Sequence, residues 1–471
     1  KEFKKSEIII ENVGFRVFFK DTKNVMKLNN RRIVFNGVNR HEFGATKGRV
    51  VSREDVITDL CNMKRNNINA IRTSHYPNDS SLYKLCDIYG LYIIVENNME
   101  THGTWTAYKD GIKPYEYVIP GENKEWQALL LDRVNSMYKR DRNHACILIW
   151  SLGNESFGGS IIYEMGEFLR KNDSTRLVHY EGVYNDRSYP DTSDIESRMY
   201  PPLNEIKEYL KEHRDKPFIL CEYTHAMGNS CGGMQLYTEY AYKEDLYQGG
   251  FIWDYIDQSI ITKNDYGEDY MAYGGDFFDR PSDYNFSGNG IVYGDRSTSP
   301  KMQAVKYNYR PFDIKLLLTE GRIEISNRYM FTDLENFVVD IGFYHFGKKV
   351  KSDKLQLVLP AQKKRSFAPS ILTEWKKLWD IYGGELVVRV SIISGNKTLY
   401  SSKDLEVSFC EGYIREGKKS LIIENNTTQR NADAKPLADM EFAIKKPLEI
   451  IEGHNNIGVR GDDFFALFSI P

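Results

Sequence analysis

"SREDVITDLCNMKRNNINAIRTSHYP", residues 52–77, carries one full turn of the rhythm that decides the fold. Ser52 stands where a helix N-cap belongs, Asp55 follows three residues later, and apolar positions at 56, 57, 60 and 63 recur at helical spacing. The stripe then gives way to Ala70–Thr73, a short run of strand character ending in Ser-His-Tyr-Pro. With a strand expected at Ile33–Val38 before it, this is a βα unit of the kind that builds parallel sheets.

The same alternation continues outward. Further strands are expected at Leu91–Glu96, Ala145–Ser151, Leu177–Tyr180, Glu196–Met199, Phe218–Cys221 and Gly250–Trp253. A second helical stripe, Trp126, Leu129, Leu130, Val134, Met137 and Tyr138, precedes the fourth of them and is read as core-facing. Eight strands between residues 33 and 253, with no Gly-rich phosphate loop after any of them, fit a (β/α)8 barrel better than an open doubly wound sheet. The fold class expected is therefore α/β, a (β/α)8 TIM barrel over residues 31–312. After it the pattern changes to period-two runs such as "RIEISNRY", "NFVVDIGFYH" and "ELVVRVSII", which suit an immunoglobulin-like β-sandwich over 313–412. Residues 413–471 read as the start of a further β domain. Residues 1–30 read as the tail of a preceding β-sandwich, and the chain as a fragment that begins mid-strand.

Composition narrows the function. Lys plus Arg number 63 against 66 Asp plus Glu, a net charge of −3 without a basic block, which argues against nucleic acid. No apolar run approaches the roughly 20 residues that span a bilayer, and "KEFKKSEIII" lacks the features of a secretory leader, so no membrane partner is expected. Six scattered cysteines without metal-type spacing read as buried thiols of a cytoplasmic protein. The 32 tyrosines are compatible with core filling and with flat polar ligands such as sugars.

In such a barrel the chemistry gathers at the C-terminal ends of the strands. Reactive residues concentrate there: Asn39-Arg40-His41-Glu42 on the first strand, Arg72 with His75-Tyr76 on the second, and Glu96 followed by Glu100-Thr101-His102 on the third. Asn154-Glu155 follow the fourth, Met199-Tyr200 the sixth, Glu222-Tyr223 and His225 the seventh, and Trp253-Asp254 the eighth. A single glutamate after a strand is ordinarily a loop or capping residue. Glu155 and Glu222 differ because each follows an apolar run, "ACILIWSL" and "PFILC", which brings a carboxyl to the rim of the core, where ionisation is costly without a purpose. Two carboxyls facing each other across a barrel mouth suit glycoside hydrolysis.

At these residues the sequence resembles the large bacterial glycosidase family that contains β-galactosidases, β-glucuronidases and β-mannosidases. "NGVNRHE", "NNINAIRTSHYPN", "LCDIYGLYIIVENNMETHG", "RDRNHACILIWSLGNES", "ILCEYTHAMGNS", "GGFIWDYIDQS" and "YGGDF" occur in family order. "METHG", "CEYTHAMGNS" and "YGGDF" favour the β-galactosidase branch. The resemblance implies a retaining exo-β-galactosidase with Glu222 as nucleophile and Glu155 as general acid/base, a pair expected roughly 5 to 5.5 Å apart. It implies that Tyr200 donates to Glu222 and that Arg72, grouped with the substrate-binding residues, holds Glu222 ionised. Asn154 would read the 2-hydroxyl, His41, His75 and His225 other hydroxyls, and Trp253 an apolar sugar face. Glu100, His102 and Glu155 match the family's Mg2+ ligands, and the Phe286 carbonyl with the Asn289 side chain matches part of its Na+ site. A β-galactoside such as lactose or a galactose-terminated glycan would be the substrate, and the full-length protein a homo-oligomer. Relative to the family pattern, the N-terminal sugar-binding sandwich is missing and the C-terminal domain stops early. Alternatives at this stage are a β-glucuronidase or β-mannosidase of the same family, a catalytically impaired carbohydrate-binding fragment, and a metal-dependent TIM-barrel hydrolase, the last weakened by Asn39-Arg40-His41 where a His-x-His pair is wanted.

Overall fold

A computed structural model of the protein describes residues 10, 12–416, 421–425, 449–453, 456–461 and 464–469. Eight parallel strands form its centre: β1 (Phe35–Arg40), β2 (Ala70–Thr73), β3 (Tyr92–Glu96), β4 (Ile147–Ser151), β5 (Leu177–His179), β6 (Glu196–Met199), β7 (Phe218–Tyr223) and β8 (Tyr247–Ile252). They are hydrogen-bonded in the order β5-β4-β3-β2-β1-β8-β7-β6, with β8 returning to β1, so the sheet curls into a barrel. Helices α1 (Arg53–Arg65), α2 (Ser80–Tyr89), α3 (His102–Lys109), α4 (Gln127–Asp141), α5 (Ser160–Asn172), α6 (Leu203–Glu212), α7 (Met234–Tyr240) and α8 (Lys301–Asn308) lie in the connections. Between β5 and β6 there is no helix, only the short 3-10 turns Glu181–Tyr184 and Pro190–Thr192.

That connection also marks the one interruption of the ring. β5 and β6 are not joined by a ladder; the incoming turn and side chains bridge them instead. Asp194 donates its amide to the Val178 carbonyl at 2.8 Å and accepts the Val178 amide on Oδ2 at 2.7 Å. Ser193 Oγ takes the Tyr180 amide at 3.0 Å, and His179 Nε2 meets Ser197 Oγ of β6 at 2.9 Å.

Local chemistry accounts for the elements. The α1 start is a complete capping box: Ser52 Oγ accepts the Asp55 amide at 3.1 Å, and Asp55 Oδ2 accepts the Ser52 amide at 2.9 Å. In α4 the buried face is Leu130, Val134 and Met137, whereas Leu129 is 42% exposed, because one residue is 100° of helix and carries it off the stripe. The barrel interior is filled by Phe35, Ile94, Ile149, Ile219 and Phe251, and a second apolar layer lies between strands and helices. A three-stranded sheet of Phe18–Lys20, Met26–Leu28 and Arg31–Arg32 contributes Phe18, Met26 and Leu28 to the same interior cluster. Buried Gln248 of β8 ties it down, donating to the Met26 and Ile33 carbonyls and accepting the Met26 amide.

Beyond the barrel, Phe312–Leu317, Arg322–Asn327 and Lys364–Phe367 form one antiparallel sheet. A five-stranded sheet, in the order Lys348–Leu355, Phe337–His345, Glu385–Ser394, Glu406–Glu416, Leu421–Asn425, shares an apolar core with it, a β-sandwich as the period-two pattern suggests. The chain divides into two compact units after Asn425. In the second, Glu449–Glu452, Asn456–Arg460 and Phe465–Ser469 make a three-stranded antiparallel sheet; residues 426–448 lie outside the described residues.

Candidate active site

Arg72, on β2, is the hub of the barrel mouth. Its side chain has no exposed surface, and all five of its N–H groups are used. Nε and Nη2 donate to Glu96 at 2.8 and 3.1 Å, Nη1 to Glu222 Oε1 and Asn39 Oδ1 at 2.9 Å each, and Nη2 also to Asn154 Oδ1 at 2.8 Å. One guanidinium therefore orients groups from β1, β3, β7 and the end of β4. The sequence reading expected Arg72 to hold Glu222 while grouping it with the substrate-binding residues; with no exposed surface and every donor taken by protein partners, the first of these is the contact the guanidinium makes.

Glu222 lies within β7, which runs two residues past its expected end at Cys221, and its carboxylate is nearly buried. Arg72 occupies one oxygen, and Tyr200 Oη donates to the other at 2.6 Å. Tyr200 reaches it from a left-handed backbone (φ 53°) just after β6, and burial followed by the nearby Glu222 charge pushes its hydroxyl pKa upward, so it stays a donor. His75 Nε2 is 3.8 Å from Glu222 Oε1.

Behind this pair runs a polar chain through the barrel interior. Burial opposes ionisation of Glu96, but Arg72 and His75 outweigh it and hold the carboxyl down to about 2. His75 Nδ1, 2.6 Å from the Glu96 carboxylate, must carry the proton, which turns an unprotonated Nε2 toward the mouth when the ring is neutral. Ser151 Oγ donates to Glu96 at 2.7 Å and meets His179 Nδ1 at 2.9 Å. Burial, then Arg72, depresses His179 to about 3. A neutral His179 then donates from Nδ1 to Ser151 and accepts on Nε2 from Ser197, which fixes its tautomer.

Glu155 sits in a different environment. The turn after β4 is tight: Gly153 has φ 153°, and a Cβ there would come within 2.7 Å of the Met99 carbonyl, which accepts the Asn154 amide at 2.8 Å. Glu155 itself is left-handed (φ 38°), a conformation costing a non-glycine residue on the order of 1–3 kcal/mol. Its amide donates to Glu181 Oε1 at 2.7 Å and its carbonyl accepts Trp105 Nε1 at 2.6 Å. Its carboxyl faces His102, Oε2 to Nδ1 2.9 Å. Burial raises its pKa first, the charges of Glu222 and Glu100 add to that, and His102 opposes it. The two glutamates thus share a mouth but not an electrostatic environment.

Around them, His41 receives the Tyr76 hydroxyl on Nδ1 at 3.2 Å, since that hydroxyl already accepts the Glu42 amide. Burial and then the neighbouring His75 and arginines depress His41 to about 3, leaving a neutral ring with Nε2–H to offer. Trp253 stacks on His75 (5.2 Å, 5°) with His41 edge-on, and half-buried His225 lies between Tyr200 and Phe286. A cavity of about 370 Å³ lies beside this cluster, bordered by His41, His75, Glu100, Thr101 and Trp126. The site residues expected from the sequence gather at the same barrel end, Arg72 among them as the partner of Glu222. The sequence reading passed over Ser151, His179 and Glu181, although Glu181 directly follows the fifth strand and could have been found by the rule that found Glu155.

The expected metal ligands differ in readiness. The carboxylates of Glu155 and exposed Glu100 are hard donors of the type Mg2+ takes, and the softer imidazole of His102 lies beside Glu155. Glu100 Oε1 accepts Asn154 Nδ2 at 3.0 Å, Glu155 is paired with His102, and among the described residues no three such side chains are drawn together as a cage. The Na+ residues fit more directly: Asn289 donates to the Phe286 carbonyl and leaves a buried Oδ1 without a partner, as an oxygen awaiting a cation would be.

A (β/α)8 barrel with two glutamates at its mouth, one clamped by Arg72 and Tyr200 and one held toward its protonated form, has the architecture of the glycosyl hydrolase class. More narrowly, the chain belongs to glycosyl hydrolases family 2: the TIM barrel domain of that family matches residues 19–314, and β-galactosidase domain 4 matches 323–414. A β-galactosidase of Halalkalibacterium halodurans is 44% identical over 463 residues, which cover 98% of this chain and 43% of that protein. A β-galactosidase of Clostridium acetobutylicum is 43% identical over 464 residues, 98% of this chain and 48% of its own length. The β-galactosidase large subunit of Latilactobacillus sakei is 49% identical over 306 residues, 64% of this chain and 48% of that subunit. The chain spans less than half the length of these relatives.

Proposed function

We propose that the protein is a retaining exo-β-galactosidase that removes terminal β-D-galactose by double displacement, from lactose or a galactose-terminated glycan. The observation that carries the reading is the asymmetry of the glutamates: Glu222 bound by Arg72 and Tyr200, Glu155 pushed toward its protonated form by burial and by Glu222. In the first step Glu222 bonds to the anomeric carbon as the glycosidic C–O bond breaks, and the Glu155 proton goes to the leaving oxygen. In the second, Glu155 takes a proton from water, whose oxygen bonds to the anomeric carbon and releases Glu222. His41, His75, Asn154 and His225 offer hydroxyl contacts, and Trp253 an apolar face. The relatives' names support galactose as the sugar.

Glu100, His102 and Glu155 would hold Mg2+, and Phe286 with Asn289 Na+; a divalent charge there would favour ionised Glu155, the form needed in the second step. Six free thiols support a cytoplasmic setting, and among the described residues no helix is long and apolar enough to cross a membrane. Homo-oligomer formation belongs to the same reading.

The test is hydrolysis of chromogenic β-galactoside, β-glucuronide and β-mannoside. Galactoside turnover should dominate, with β-galactose as the first-formed anomer by NMR and a kcat loss of at least about 10³-fold in Glu222→Gln, about 4 kcal/mol of barrel-mouth stabilisation. Wild-type turnover by that variant sinks the assignment of nucleophile. Chelation should slow the reaction and leave a residual rate; complete, reversible loss would point to a metal-dependent hydrolase instead.

A further inference from the structure

We propose that Glu181 is a positioning residue for Glu155: its carboxyl, delivered by the turn after β5, accepts the Glu155 amide and fixes the left-handed backbone from which the acid/base side chain reaches the mouth. This rests on the reading of Glu155 as acid/base given above.

Three successive amides of the turn that carries Glu155 are pinned by three residues from two elements. Asn154 N–H goes to the Met99 carbonyl after β3 at 2.8 Å, Glu155 N–H to Glu181 Oε1 at 2.7 Å, and Ser156 N–H to Tyr180 Oη at 3.2 Å. Adjacent residues of the β5 turn thus hold two of the three. From the opposite side Trp105 of α3 holds the Glu155 carbonyl at 2.6 Å. With both peptide groups fixed, only the side-chain torsions of Glu155 stay free. Its φ of 38° is unfavourable for any residue but glycine, so something must impose it, and an acceptor aimed at its amide does so directly. Glu181 is 4% exposed, so its carboxyl is not a surface charge. A buried carboxyl costs free energy unless its hydrogen bond repays it, and the bond it makes is to the backbone of the one residue that must be placed to a fraction of an ångström.

Positioning an acid has a kinetic mark that loss of stability lacks. Proton donation matters for a poor leaving group and hardly at all for an activated one. In Glu181→Ala, kcat/KM for phenyl or methyl β-galactoside should fall about 10²-fold while that for the 2,4-dinitrophenyl substrate stays within about threefold. Glu181→Gln keeps an oxygen acceptor and should stay within about threefold of the parent on both substrates. Should the alanine variant not fold, Glu181→Asp, whose acceptor is withdrawn by one methylene, should show the same leaving-group dependence. Equal loss on activated and unactivated substrates, or a glutamine variant as poor as alanine at unchanged Tm, overturns the proposal. Failure of the underlying reading looks different: the parent would hydrolyse no β-galactoside, or Glu155→Gln would show no leaving-group dependence.

Discussion

Arg72 concentrates at one residue what the mouth needs: five donors, two carboxylates and two side-chain amides, all within hydrogen-bond distance and none in contact with solvent. A lysine keeps the charge but offers three donors from a point rather than five in a planar fork. Arg72→Lys should therefore lose stability by roughly 3–5 kcal/mol, as breaking a buried pair does, together with most activity. Urea unfolding compared with kcat would show it; a variant of parental stability would mean that the five bonds are replaceable. The partnership of Arg72 with Glu222 was legible from the motif, but its saturation was not, because all five of its bonds reach residues 24 to 150 positions away and a sequence gives no count of filled donors. Glu181 escaped for a related reason. Its contact is with a backbone amide, which has no side-chain identity to suggest a partner.

At the scale of elements, helix α1 was read correctly from its first residue, since the reciprocal Ser52–Asp55 bonds are local and depend on residue types alone. Ser52→Ala should cost about 1 kcal/mol, measurable as a lower urea midpoint with kcat unchanged. Where long-range packing decides, the sequence was less informative. β8 starts at Tyr247, not Gly250, because Gly249 (φ 93°) lies where a Cβ would come 2.2 Å from the Phe35 carbonyl of β1. A pair of glycines reads as a strand breaker, yet here it lets two strands approach. Leu129 was misread in the other direction: apolar type put it on the stripe, and helical phase took it off.

For the molecule as a whole, several buried groups refuse protons that the unfolded chain accepts. His41 and His179 are depressed to about 3 from 6.5, and Glu96 to about 2 from 4.5. Between those limits the unfolded state binds more protons, so stability is full above the histidine value of 6.5 and falls as pH drops through the window toward 3. Each such histidine adds about 1.4 kcal/mol per pH unit to the slope. A His179→Gln variant, which cannot take the proton, should lose stability less steeply by that amount between pH 6 and 4 in urea titrations; an unchanged slope would show that His179 is charged in the folded state. Barrel and sandwich belong to one compact unit, tied by Asn67 Nδ2 to the Val407 carbonyl at 2.9 Å and by the Phe312 amide to Ser408 Oγ at 3.0 Å, so acid should unfold them together.

The interruption between β5 and β6 gives the ring a place where it can breathe. Elsewhere a strand leaves only by breaking a ladder, whereas here one backbone bond, Asp194 to Val178, and a few side-chain bonds from Ser193, Asp194 and His179 hold the edges. In hydrogen–deuterium exchange the amides of Val178 and Tyr180 should take up deuterium well before those of β3 and β4, such as Ile94 and Ile149. Because Tyr180 and Glu181 hold the Glu155 and Ser156 amides, each opening of that gap would loosen the hold on Glu155. The seam thus makes access of solvent deuterium to one edge of the barrel a reporter on how long Glu155 stays in register.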